Sequence, residues 1–359
     1  MSNENNQMPS TPQREILVIM DRLLRIILLL VVAVIVLPLL IFYRNEIGQY
    51  FKEGKKQPTI QLPAASAAAA PAEDFWTPAD IDEIQDEQLK AQVLYGEDLI
   101  AHTSKYLGPK GSVMQISNGM NCQNCHLDAG TRTFGNNYGS VASMYPKFRA
   151  RSGTEENIYK RVNDCFERSL NGQPLDTLGK EMQAIKAYIS HIGSKVQKGE
   201  KAKGSGFKDL PYLDRAADPA KGKTVYIAKC QSCHQANGEG TLNADGTEYA
   251  FPPLWGKNSY NDGAGLYRIS NFAKYVKSNM PLGVTHDNAQ LTDEEAWDLA
   301  AFVNSQPRPH KNAPKDWPDI SKKPVDHPFG PFSDGFSEQQ HKFGPFQPIV
   351  DQQKKSAKK

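Results

Sequence analysis

The chain has 359 residues, enough for two domains with accessory segments. With 42 basic against 40 acidic side chains its formal net charge is +2, which argues against a dedicated nucleic-acid binder and moves the reading of charge to local clusters. There are 5 cysteines, and their spacing carries more than their number. Positions 1–25 are polar and then mixed, with Arg14, Arg22 and Arg25 just ahead of an uninterrupted apolar run over 26–43. About 18 to 20 apolar residues span the hydrocarbon core of a bilayer as a helix. Pro38 lies near one end of the run, where a break is tolerated. A cleaved signal peptide is the rival reading, but Arg44 and Glu46 follow the run directly and the small-residue stretch 64–70 lies too far downstream for an ordinary cleavage site. A retained anchor is therefore expected. Basic residues on its two sides do not decide its orientation.

From 51 to 77 the composition turns to Lys, Pro and Ala, which reads as a tether. A helical stretch over 86–107 follows, with Leu89, Val93, Gly96 and Ile100 near one face. It leads into Cys122-Gln123-Asn124-Cys125-His126, which recurs downstream as Cys230-Gln231-Ser232-Cys233-His234. Each is a Cys-x-x-Cys-His motif, the attachment signature of c-type haem. Two thiols three apart reach the two vinyl groups of one haem, and the adjacent imidazole reaches its iron. A structural zinc half-site would need four ligands per site, and a redox dithiol would not call for His at the next position twice. Two covalently bound haem c groups are expected, and with them attachment outside the cytoplasm, so the N-terminus lies inside.

After the first motif come a Gly/Asn-rich segment (130–140), the basic segment 145–151, a helix over 154–169 and a closing helix over 180–192 carrying Ala187-Tyr188-Ile189. A Lys/Gly-rich stretch, 195–217, reads as a linker. The second half repeats the plan. A helix runs from Pro219 into Cys230, another covers 266–278, and Asn279-Met280-Pro281 follows. The closing helix starts with Thr292 as cap, Glu294 and Glu295 in its first turn, and carries Ala301-Phe302-Val303. Motifs and closing triplets recur at nearly the same offset, the mark of an internal duplication. From Pro307 the chain is proline-rich, and Phe329-Gly330-Pro331-Phe332 recurs as Phe343-Gly344-Pro345-Phe346, with His327 and His341 upstream of each. Such aromatics can clamp a domain surface, the rival being a disordered tail; positions 354–359 are expected to be floppy.

The division expected is thus a membrane anchor (1–44), a linker (45–77), a first cytochrome c domain (78–200), a second (201–306) and a C-terminal extension (307–359). The fold class is mainly α: two class I cytochrome c-type domains in tandem behind an N-terminal transmembrane helix. For the second haem, Met280 leads as sixth ligand because it follows a helix, precedes Pro281 and lies about fifty residues after its motif (compare His234 with Met280); His286 is the alternative. For the first haem, Met144, Met182, His191 and Cys165 compete. Cys165 is the cysteine that the motifs leave over, and Arg161 and Arg168 beside it favour its thiolate.

Residues 90–350 resemble the thiosulfate dehydrogenase family, tetrathionate-forming dihaem cytochromes c with a SoxA-like first domain. The resemblance rests on 121–130, on 145–151, on Arg161 to Gly172 with its Asn-Asp-Cys-Phe-Glu-Arg-Ser core, and on the repeated Phe-Gly-Pro-Phe tail. It implies Cys165 as an axial ligand at the catalytic haem, opposite His126. It also implies that Arg151 and Arg161 hold an anionic substrate and that Ser169 contacts it. Joining two thiosulfate dianions brings like charges together, and arginine forks would offset that repulsion. Some members place Lys directly before the distal Met. Asn279 stands there in this chain, with Lys277 two residues back, which puts a Lys/Met exchange in doubt. The implied partners are thiosulfate and tetrathionate, a small cytochrome c or membrane electron carrier as redox partner, and the inner membrane through the N-terminal helix, with the catalytic domains in the periplasm; no nucleic acid is expected. A membrane-tethered electron-transfer cytochrome without a substrate site and a dihaem peroxidase are the competing functions. Cys165 with its arginines speaks against the first of these.

Overall fold

The computed structural model describes residues 74–356 together with Met20, Arg22, Leu23, Leu24, Ile27 and Leu30. Among the described residues no helix is long and apolar enough to cross a membrane. The apolar run 26–43 lies almost wholly outside them.

The first helical core is built on α1 (Glu87–Ala101), α2 (Ile158–Arg168) and α3 (Lys180–Ile192). Asp86 starts α1 by accepting from the backbone N–H groups of Gln88 and Leu89, and Asn157 starts α2 by accepting from that of Lys160. Val93, Leu99, Ile100, Phe166, Met182, Ile185 and Tyr188 close the core. Leu89, expected on the inner face of α1, is instead 42% exposed, because the helix turns that first turn to solvent.

The second core repeats this design with α4 (Pro219–Lys229), α5 (Ile269–Asn279) and α6 (Asp293–Asn304). Asp218 caps α4. At α6, Thr292 and Glu295 form a reciprocal capping box, as the sequence indicates. The duplication is visible in one shared contact. A Cβ on Gly96 of α1 would stand 2.0 Å from the Ala184 carbonyl oxygen and 2.8 Å from the Tyr188 Cβ of α3. A Cβ on Gly222 of α4 would stand 1.8 Å from the Asp298 carbonyl oxygen and 2.8 Å from the Phe302 Cβ of α6. In each half a glycine lets the first and last helices touch backbone to backbone, and the partner lies in or beside the closing triplet. Gly96→Val should force α1 and α3 apart and cost about 3 kcal/mol, the upper end of overpacking costs, as read by denaturant unfolding of the haem-loaded protein.

The helix expected over 154–169 begins later than the sequence indicates. Thr154–Glu156 forms a strand, β2, antiparallel to β1 (Lys147–Arg149) with Lys147 opposite Glu156. Acidic residues ahead of a helix mimic a first turn, but the cap is Asn157, and Glu156 is buried 4.0 Å from the Arg149 guanidinium. The hairpin carries Arg151 at its tip.

The 195–217 stretch has no helix or strand, yet it is packed. Gly204 and Gly206 accept backbone hydrogen bonds from Phe134 and Asn136, and Ser205 bonds Ser140. The tail is ordered as far as it is described. Phe346 packs against Trp297 and Tyr212, and Phe332 stacks on His341 at 3.8 Å. Helices α7 (Glu338–Phe343) and α8 (Gln347–Ser356) follow, so 354–356, expected to be floppy, belong to a helix whose Ile349 is fully buried.

Candidate haem and anion sites

Each Cys-x-x-Cys-His motif lies on a tight turn beside a cavity. The first cavity, about 210 Å³, is lined by Cys122, Cys125 and His126 on one side and by Cys165, Arg161 and Ser169 of α2 and its end on the other. The second, about 320 Å³, is lined by Cys230, Cys233, His234 and, across it, Met280. Otherwise the walls are mainly apolar, with Phe166, Leu170, Ile185 and Ile189 in the first and Leu254, Phe272, Leu299 and Val303 in the second.

The histidines are prepared as ligands. His126 Nδ1 lies 2.6 Å from the Asn136 carbonyl oxygen and His234 Nδ1 lies 2.8 Å from that of Pro252. In the neutral ring Nδ1 donates to that carbonyl, which leaves the Nε2 lone pair for a metal. Burial holds His126 in this neutral form, with its pKa down to about 4, and lowers that of His234 as well. Tyr138 stacks on His126 at 4.4 Å and fixes its plane. Burial also pushes the Cys122 and Cys125 thiols up to about 12 and Cys230 to about 11, so these sulfurs stay uncharged in their apolar slots. Paired thiols and an oriented imidazole at a mainly apolar cavity fit a covalently held haem in each half.

The rivals for axial positions lie elsewhere. Met182 is fully buried in the α1–α3 core, His191 Nε2 is 3.0 Å from the Asp80 carbonyl oxygen, and Met144 lines neither the first haem cavity nor the opening beside it. His286 packs edge-on to Phe75 and Phe134, away from the second cavity. Asn279 is buried and donates to the Phe134 and Tyr275 carbonyls, while Lys277 is held by the Leu291 carbonyl and Asp293. Neither lines the second cavity.

Over the first cavity opens a polar vestibule of about 350 Å³. It shares His126, Arg161, Cys165 and Ser169 with the cavity and adds Arg149, Arg151 and Arg168. Arg161 Nη1 donates to the Cys165 sulfur at 3.1 Å. The adjacent Cys165 sulfur raises the pKa of the Arg161 guanidinium, against the opposing effect of desolvation. Arg151, from the hairpin tip, is tied by its Nη1 to the Gly263 carbonyl oxygen at 2.9 Å. Burial, and next the nearby Arg168, lower its pKa to about 10, the sign of a crowded positive site. The residues singled out from sequence, Cys165, Arg151, Arg161 and Ser169, all line this vestibule.

Sequence reasoning missed the tail's share. Asp316 lies 2.9 Å from Arg168 Nη2 and 4.0 Å from Arg151 Nε. Trp317 sits under the Arg151 guanidinium at 5.6 Å, donates its backbone N–H to the Arg151 carbonyl oxygen, and donates its indole N–H to His327. No motif marks these residues. Trp317 in the left-handed region, at φ 59, is a structural signal only.

The two haem sites adjoin. Met120, Asn124, Cys125 and Leu127, from the first motif and its flanks, form a wall of the second cavity. Tyr275 of α5 donates to the Asn124 carbonyl oxygen across that wall. Cys125 lines both cavities. Two c-type haem sites sharing a wall, one of them opening to an arginine-lined vestibule, define a dihaem cytochrome c.

Residues 112–197 match the SoxA/TsdA cytochrome c domain family and residues 219–307 the cytochrome c family. A thiosulfate dehydrogenase of Psychrobacter arcticus is 37% identical over 265 residues, 73% of this chain and 72% of that protein. One of Allochromatium vinosum is 40% identical over 54% of this chain and 72% of its own length. The solved thiosulfate dehydrogenase (TsdBA) from Marichromatium purpuratum, in its as-isolated form, superposes with a TM-score of 0.61 at 32% identity. That match covers 66% of this chain and half of that one. The chain belongs to the thiosulfate dehydrogenase family.

Proposed function

We propose that this protein oxidises thiosulfate, joining two dianions through a new sulfur–sulfur bond into tetrathionate and releasing two electrons. The observation that carries the reading is the meeting of His126 and Cys165 across one cavity, with Arg161 on the thiol and Arg151 and Ser169 at the opening. An electron shuttle has no use for a thiol–arginine pair beside a basic vestibule.

In this reading Cys122 and Cys125 hold the first haem and Cys230 and Cys233 the second. His126 and Cys165 would hold the iron of the first, and His234 and Met280 that of the second. Each haem, when bound, accepts one electron at a time, so the pair can take both electrons from one coupling event. Arg161 stabilises the Cys165 sulfur as thiolate, and a thiolate ligand belongs to chemistry more than to plain electron transfer. Arg151 forks onto sulfonate oxygens and Ser169 orients them. Cationic donors in a half-buried vestibule act more strongly than in water, which offsets the repulsion between the two dianions. The second haem, when bound, would offer electrons a way out close to the first, since the two cavities share a wall at Cys125. The thioether of Met280 raises that haem's potential and suits it to pass electrons to a small cytochrome c or a membrane carrier. Asn279 and Lys277 are both engaged elsewhere, which supports Met280 as the ligand in this reading. Replacing Met280 by Gly should remove the weak sulfur-to-iron charge-transfer band in the far red and lower that haem's potential. Survival of the band would assign the ligand to another residue.

The same reading divides the chain into an inner-membrane anchor (1–44), a tether (45–77), the catalytic domain (78–200), the electron-transfer domain (201–306) and the tail (307–359), with the catalytic part in the periplasm. Mass spectrometry of protein extracted from membranes should find residues ahead of Arg44; a mature soluble chain starting near Ala70 would remove the anchor. The function itself is tested by adding thiosulfate and ferricyanide to the purified holoprotein. One tetrathionate per two electrons is expected, and absence of thiosulfate-dependent reduction would overturn the proposal.

A further inference from the structure

Beyond the vestibule lies a second, open chamber of about 390 Å³, lined by Arg151 and Arg168 together with the second domain and the tail. The two spaces share Arg151, Arg168, Arg268 and Trp317, so this group forms the partition between them. Arg268 is committed to the buried Asp326, with its Nε 2.8 Å from Oδ1. Arg168 is not fully committed. Its Nη2 bonds Asp316, but Nε and Nη1 are buried with no hydrogen-bond partner. A buried guanidinium with two idle donors costs free energy that an anion would return. Among the described residues Asp316 is the carboxylate paired with both Arg168 and Arg151, and Lys323 adds a cation on the far side.

The geometry points to a second sulfonate subsite at the Arg151–Arg168 partition, where Asp316 stands in as counter-charge until an anion arrives. The inference rests on the thiosulfate reading of the vestibule and extends it. A product with a sulfonate at each end needs two anion-binding places. Arg161 and Ser169 beside Cys165 provide the first, for the thiosulfate that meets the sulfur. Arg168, with Arg151, provides the second, for the outer sulfonate of the other thiosulfate and then of tetrathionate. The chamber behind the partition, walled by the tail, gives that end room to enter and leave. Asp316 thus acts as a positioning and competing group and not as a catalytic one.

The test uses the full-length haem-loaded protein and thiosulfate itself as probe. In the Cys165→Gly background, where turnover is expected to stop, calorimetric titration should count two thiosulfates per chain. Adding Arg168→Gln should reduce the count to one. In the Cys165-containing protein, Arg168→Gln should raise the KM for thiosulfate roughly 10- to 100-fold, the factor for one lost charge-assisted hydrogen bond, and leave the first haem's potential unchanged. Arg168→Lys should recover part of the affinity. Asp316→Asn should lower KM, because the anion then has no resident rival. A count that stays at two with KM unchanged would overturn the subsite and leave the first one standing. So would a shifted potential with unchanged KM, which would assign Arg168 to a haem carboxylate. No binding in the Cys165→Gly background would instead strike the thiosulfate reading itself.

Discussion

Cys165→Gly should abolish thiosulfate oxidation, a fall on the order of 10³-fold or more such as follows deletion of a reacting group, while both haems stay covalently attached. Attachment needs only Cys122, Cys125, Cys230 and Cys233, which lie on the two motif turns and do not depend on α2. The variant should therefore keep its haem content and its mass, and its second haem should remain reducible by dithionite. Cys165 is half-buried at the mouth of the first cavity, so its loss removes a sulfur and no large part of the core. Haem quantification, mass and steady-state rate measured on one preparation separate the outcomes. Near-normal turnover with full haem content would make the thiol packing and favour an electron shuttle.

The second large effect is expected at Arg161. This residue is half-buried, donates from its guanidinium to the Cys165 sulfur at 3.1 Å and lines both cavity and vestibule. In the proposed reaction its positive charge favours an anionic Cys165 sulfur and also faces the incoming dianion. Arg161→Ala should remove both contributions. Each charge-assisted hydrogen bond is worth about 1.5–3 kcal/mol, so kcat/KM should fall roughly 100-fold or more. Arg161→Lys keeps the charge but loses the fork, and should recover only part. Arg151→Ala should act through KM, because Arg151 lies at the vestibule wall and touches no ligand sulfur. An Arg161→Ala variant whose first-haem spectrum and kcat/KM both match the native protein would remove the thiolate-stabilising role.

Why these residues could be found from sequence, and others not, follows from the range of the interactions. The haem motifs are local: thiols and imidazole fall within five consecutive positions, so their chemistry is written in spacing. Arg161 and Cys165 stand four apart on one helix and share a face, which is also local. The capping box at Thr292 and the closing helices were legible for the same reason. Met280 was singled out by its place after a helix, and it lines the same cavity as His234. The strand at Thr154–Glu156 was not, because its identity depends on pairing with Lys147–Arg149 across a turn. The partition of Arg168, Asp316 and Trp317 was missed more completely. Asp316 meets Arg168 across 148 positions, in a tail whose composition suggests only turns and linkers. Nothing in such a segment announces that one carboxylate will counter two arginines beside a haem. The shared wall at Cys125 has the same origin, since it arises from how the two duplicated halves meet and not from either half alone.

Low-temperature electron paramagnetic resonance of the oxidised full-length protein tests the central claim most directly. The account predicts a low-spin ferric signal of the thiolate-ligated kind that persists in Met280→Gly and vanishes in Cys165→Gly. A signal that survives Cys165→Gly unchanged would place another ligand opposite His126 and contradict the account.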